Sequence, residues 1–143
     1  VEVHADGGTV PIVGVFNGCQ YTDPTTKKQV FSNFYPASTN AADIIAFIID
    51  DPMVIFEIQA AIAFPVADLL GNFDVVYTTA GSTVTGISGA ELQVTDGGTA
   101  TTLPLKVIDI SEDPENNDVG SAHTNVLCVI GNHVFGVKGA GLA

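Results

Sequence analysis

Short apolar runs, closed off by Gly, Pro, Asp and Asn, dominate this chain, and none repeats with the three-to-four spacing of a long amphipathic helix. Residues 10–16 (VPIVGVF) are β-branched and aromatic with Gly14 in their midst, which predicts a strand carrying a bulge or a close backbone approach. Turn formers fill TDPTTKK after Tyr21, and QVFSNFY then resumes a strand pattern. The two runs therefore predict a long hairpin tipped by lysines. After a polar loop over residues 38–43, the segments IIAFII, DDP and MVIFEIQA predict a second strand–turn–strand unit. Within it Val54, Phe56 and Ile58 alternate with Ile55, Glu57 and Gln59, so one face of that strand is expected inside and the other partly wet.

Residues 65–72 (PVADLLGN) carry the best helix signal, with proline near a start, a Leu-Leu pair and Gly71 as a stop, enough for a turn or two. FDVVYTT, AELQV, LPLKVIDI and NVLCVI read as further strands. AGSTVTGISG and the acidic SEDPENNDVGSAHT read as loops, and IGNHV as a turn. Many short strands and no long helix predict an all-β fold, a single compact antiparallel β-barrel or sandwich with at most one short helix. One β-rich domain is expected over residues 1–143, with residues 1–9 available as a short N-terminal arm.

Composition narrows the partners. The 143 residues are 46% hydrophobic and only 14% charged, which excludes a disordered chain. Sixteen acids stand against four lysines and no arginine, for a net charge of −12. Nucleic-acid binding needs cations to replace phosphate counterions, and an anionic membrane would repel this surface, so neither is an expected partner. The longest apolar run, residues 44–49, stops at Asp50, well short of the roughly 18 residues of a membrane helix. The first residues lack the basic-then-apolar pattern of a signal peptide.

Candidate chemistry is sparse. Cys19 and Cys128 lie in no CxxC pattern, and read either as a long-range disulfide or as two small apolar core side chains. His4, His123 and His133 are scattered, and only His133 and Cys128 are neighbours, at a spacing unsuited to tetrahedral zinc. SEDPENNDVG offers oxygens for calcium but departs from the EF-hand spacing, and reads better as a solvated turn. Asp50 and Asp51 pair two carboxylates, yet their setting is that of a turn between strands. GISGA misplaces the second glycine of a nucleophile elbow, and no phosphate-cradling motif occurs. Neither an enzyme nor a cofactor is expected.

Aromatics around the lysine tip remain. Tyr21, Phe31, Phe34 and Tyr35 flank Lys27 and Lys28, and the alternation of the second arm puts an aromatic on each face. Either one face packs on the core and the other is ordinary surface, or the arm buries both because a second protein covers one. The second reading makes Tyr21, Lys27, Lys28, Phe34 and Tyr35 the candidate interface, its lysines suited to an acidic protein partner.

The stretches GVFNGCQYTDPTTKKQVFSNFYPAST, AADIIAFIIDDPMVIFEIQA and DLLGNFDVVYTTAGSTVTGISGAELQV resemble small virion structural proteins of tailed phages, marine and cyanobacterial ones especially. The resemblance runs from about Gly14 to His133 and rests on the GCQYTDPTTKK…YPAST block, the IDDP turn before FEIQA, and the TVTGISGAEL loop. It implies a non-enzymatic, β-rich capsid decoration (cement) protein on the outer surface of the virion. Such a protein binds the major capsid protein, ties capsomers together and self-associates as a dimer or trimer. A minor head-fibre or tail-associated subunit fits the same resemblance. A carbohydrate-binding β-sandwich stacking Tyr21, Tyr35 or Tyr77 on sugar rings is the alternative from another class, and the absence of tryptophan counts against it.

Overall fold

Period-two patterning puts one side of most strands inside, while residues 72–76 are buried on both faces. The computed structural model describes residues 8–37, 39–114 and 116–136. His4, Lys138 and most of the expected N-terminal arm lie outside these residues. Within them the chain is all-β, with eight strands in two antiparallel sheets and one 3-10 turn, Val66–Asp68. The strands are β1 Val15–Thr22, β2 Gln29–Ser32, β3 Ile45–Ile49, β4 Phe56–Gln59, β5 Asn72–Val76, β6 Glu91–Gly98, β7 Leu105–Ile110 and β8 Asn125–Ile130. One sheet is ordered β2-β1-β3 and the other β4-β8-β7-β5-β6. Among the described residues no helix is long and apolar enough to cross a membrane.

The five-stranded sheet curls over its own core. Phe73 and Val75 of β5, Leu92 and Val94 of β6, Leu105 and Val107 of β7, and Val126, Cys128 and Ile130 of β8 point inward, joined by Ala60 and Phe64. Phe64 and Phe73 meet with ring centroids 5.5 Å apart at 60°. Each large side chain buried here contributes roughly 1.5–3 kcal/mol, so this sheet holds most of the driving force for folding. Its two edges touch at one point, a parallel bridge between Ala60 and Leu92 with the Ala61 N–H donating to the Leu92 carbonyl at 3.0 Å. One bridge does not close a barrel, and of the barrel or sandwich expected the structure gives two antiparallel sheets.

The strand expected over residues 10–16 begins only at Val15. At Gly14, φ is +153° and a Cβ would lie 2.2 Å from the Ile49 carbonyl oxygen, so this glycine marks a close backbone approach. Upstream, Ile12 forms a single parallel bridge to His133 that ties the smaller sheet's entry to the larger sheet. The expected pairing of IIAFII with FEIQ does not form. β3 pairs with β1 and β4 with β8, and the Asp51 turn carries the chain from one sheet to the other, its Oδ1 accepting the Met53 N–H at 2.8 Å. The alternation read in β4 does hold, with Phe56 and Ile58 packed on the core and Glu57 and Gln59 exposed. In PVADLLGN the helix stops after one turn. The Leu70 N–H donates to the Val107 carbonyl, and Gly71 accepts from the Val107 N–H, both at 3.1 Å, so pairing with β7 outcompetes helix propagation.

Candidate interaction surface

The β1–β2 hairpin is set by Asp23. Its Oδ1 accepts the N–H groups of Thr25 and Thr26 at 2.7 and 2.9 Å, an Asx-type turn. Its carbonyl accepts the Lys27 N–H and its own N–H donates to the Lys28 carbonyl, both at 2.9 Å. Lys27 takes the left-handed conformation, φ +58°, that reverses the chain. Hydrogen bonds from the Thr26 and Thr25 amides hold the Asp23 carboxyl below its usual range, with a smaller pull from the Lys27 charge. At the hairpin's base Asp43 accepts the Thr22 hydroxyl at 2.6 Å and the Thr22 N–H at 3.0 Å, which likewise lower its carboxyl. Both lysine side chains project from this turn into water.

The register gives the small sheet two unlike faces. Cys19, Tyr21, Val30, Ser32 and Ala46 share one, which the segment between β2 and β3 covers. The Tyr35 ring meets Tyr21 edge-on at 6.2 Å, the Phe34 carbonyl accepts the Cys19 thiol at 3.6 Å, and the Tyr35 hydroxyl donates to the Thr39 carbonyl. Tyr21 is only 6% exposed as a result. Of the five expected contact residues, Lys27 and Lys28 stand free in solvent and Tyr35 is partly open. Phe34 is half-buried and Tyr21 belongs to the interior. Tyr21 therefore offers its ring neither to a partner nor to a sugar.

The opposite face is open. It carries Val15, Gln20, Thr22, Gln29, Phe31, Ile45, Phe47 and Ile49, with the Asp43 carboxylate held by the Thr22 hydroxyl at its margin. Phe31 is 65% exposed, Ile45 54%, Phe47 41% and Val15 40%. Between the Phe31 and Phe47 rings the β1 register slips at Asn17 and Gly18, leaving a hollow of about 300 Å³ over Gly18. At Gly18, φ is +116°, and a Cβ would sit 2.8 Å from the Ser32 carbonyl oxygen, so the close approach of β1 to β2 here depends on that glycine. The sequence predicts IIAFII as one strand of a strand–turn–strand unit. Its missing polar alternation does signal two apolar faces, but not that one of them faces solvent.

Elsewhere, a polar cleft of about 440 Å³ lies between β4, β8 and the loop before β6. There Glu57 Oε1 accepts the Asn125 amide at 2.6 Å, and the Asn116 amide donates to Asn125 Oδ1 at 2.8 Å. Glu91 accepts the Thr79 hydroxyl at 3.3 Å and lies 3.7 Å from His123 Nδ1. Among the described residues no three His, Cys, Asp or Glu side chains converge as metal ligands. Cys19 and Cys128 are buried free thiols in different sheets. Burial pushes both thiols up, Cys128 to about 12. No protein-family model, curated protein sequence or solved structure matches the chain.

Proposed function

We propose that the protein is a non-catalytic capsid decoration (cement) protein, seated on the outer surface of a phage virion, that bridges capsomers of the major capsid protein and self-associates. The observation that carries this reading is the open, largely apolar face beside a lysine-bearing hairpin tip on an otherwise acidic molecule. The largest apolar patch on a monomer is often functional, and contact with another protein is one such use. The motif blocks of residues 18–39, 50–59 and 83–92 add the virion setting by resemblance. A cement protein needs area rather than chemistry, because many modest contacts sum by avidity across a lattice. Net negative charge suits a position outside the shell, away from packaged DNA.

The test is the copy number of this protein relative to the major capsid protein in purified virions, by quantitative mass spectrometry. A simple stoichiometric ratio supports lattice-wide decoration. A handful of copies per particle moves the protein to a head fibre or the tail, and none at all removes it from the virion. A second reading, carbohydrate binding, is favoured by one feature, the cleft whose Glu57, Gln59, Asn116 and Asn125 present planar hydrogen-bonding groups. A glycan array without hits discards it.

A further inference from the structure

Three features of the small sheet converge. The first is the open face, whose four most exposed apolar side chains leave roughly 400 Å² of apolar surface in water, the size at which a patch on a monomer is commonly functional. The second is its relief. Phe31 and Phe47 stand proud on either side of the hollow over Gly18, so knob and hole lie on one surface. That is what an isologous interface requires, since each residue contacting a second residue must be answered by the reverse contact. The third is unlike charge at the two ends, Lys27 and Lys28 beside Asp23 and Asp43 at one and the Asp50 and Asp51 carboxylates without a lysine at the other. Lys28 lies level with Asp23, four to five residues beyond the Gly18–Cys19 centre of β1. Asp50 lies one residue past the Val15–Ile49 pair, the same number of residues the other way. At roughly 3.3 Å per residue each is about 15 Å from the centre.

We propose that the Val15–Phe31–Phe47 face packs against the same face of a second copy about a two-fold axis near Gly18, with strands stacked antiparallel, so that Lys27 and Lys28 of each copy meet Asp50 and Asp51 of the other. One ring of each copy enters the partner's hollow, and the other packs at its edge. The result is a three-on-three strand sandwich, formed between chains, at the usual sheet spacing of about 10 Å. Together the two apolar faces, the rim of Asn17, Gln20 and Asn33, and the two tips reach roughly the 1,200 Å² of a small stable interface.

A second copy fits better than a charged partner because the centre of the face is apolar and its one marginal carboxylate, Asp43, is already held by Thr22. The two ends of the sheet supply complementary charge in the one orientation that also matches the faces. This arrangement answers why half of the lysines sit together on a hairpin tip: they neutralise the acidic turn of a chain that otherwise repels itself. It deepens the self-association in the proposed function, but concerns the isolated protein, so its test needs no virion.

Sedimentation equilibrium of the purified chain is expected to show a monomer–dimer equilibrium. Phe31→Ser with Phe47→Ser is expected to abolish the dimer while leaving the far-ultraviolet circular dichroism unchanged. Lys28→Glu is expected to raise the dimer dissociation constant about tenfold, since each dimer loses two exposed pairs, and Lys28→Glu with Asp50→Lys to restore it. A wild-type monomer, a trimer, or a dimer indifferent to the Phe31 and Phe47 changes would overturn the proposal. Failure of the charge swap to restore affinity would overturn the antiparallel arrangement. A monomer that still coats particles in stoichiometric ratio would leave the decoration reading standing and assign the face to the shell.

Discussion

Two phenylalanines test where the folding energy resides. Phe73 is 1% exposed, packed against Phe64 and enclosed by Gly71 and Gly97, whose absent Cβ atoms leave room for its ring. Truncation to alanine there removes a whole ring and leaves a cavity that its strand-bound neighbours cannot fill. Phe73→Ala is thus expected to cost about 3–5 kcal/mol, a large share of a typical domain's stability. Phe31 is 65% exposed, so folding removes only about a third of its side chain from water. Scaling the burial energy of a whole ring accordingly gives roughly 0.5–1 kcal/mol for Phe31→Ala. Urea unfolding followed by far-ultraviolet circular dichroism, at concentrations where the protein is monomeric, measures both. The slope with denaturant should be unchanged and the midpoints should differ several-fold in their shift. If Phe31→Ala cost as much as Phe73→Ala, the open face would be covered within the monomer, and the interaction surface drawn from it would fall. If Phe73→Ala cost under about 1 kcal/mol, the core would not lie in the five-stranded sheet.

Other consequences are smaller and separately measurable. Gly97→Ala places a Cβ 2.2 Å from the Phe73 ring and should destabilise by about 1–3 kcal/mol in thermal or urea melts; a neutral effect would mean that the ring has room to move. Asn132, fully buried, donates to the Thr9 and Thr102 carbonyls at 3.2 and 3.0 Å. Asn132→Ala should cost about 1–3 kcal/mol through the acceptors it strands, and a loss below measurement error would place water there instead. The Asp43 carboxyl is held below its free value of 3.8 by the Thr22 hydroxyl and amide, so its contribution is present above that pH and lost as pH falls through the folded value. In an NMR titration the Thr22 amide should shift with a midpoint under 3.8 in the wild type and lose that transition in Asp43→Asn; a midpoint at or above 3.8 contradicts the assignment. Both thiols should resist an aromatic disulfide reagent at mildly alkaline pH until the chain unfolds, because burial keeps them protonated and out of reach; rapid labelling of the native protein would show otherwise.

What the sequence determined by itself is local. β-branched runs broken by turn formers sufficed for an all-β chain, because period-two burial and turn chemistry act over a few residues. The Asp-Pro-Thr-Thr hairpin, the alternation in Phe56–Gln59 and the weakness of the one helix were all readable that way. Pairing was not. IIAFII and FEIQ are separated by a turn of the right kind, yet each found a longer-range partner, since ladder energy is the same for near and far strands and only packing of the whole decides. The lysine tip was legible from Lys27 and Lys28, but Tyr21 was placed outside when Tyr35 and Phe34 fold back to cover it. The open face was legible only in part, from the aromatics on both sides of the second hairpin arm, and not in IIAFII. A strand that is apolar on both sides looks the same in sequence whether its second face meets the core or water. Only the tertiary arrangement, which spends the protein's core on the five-stranded sheet, leaves Phe31, Ile45 and Phe47 facing outward.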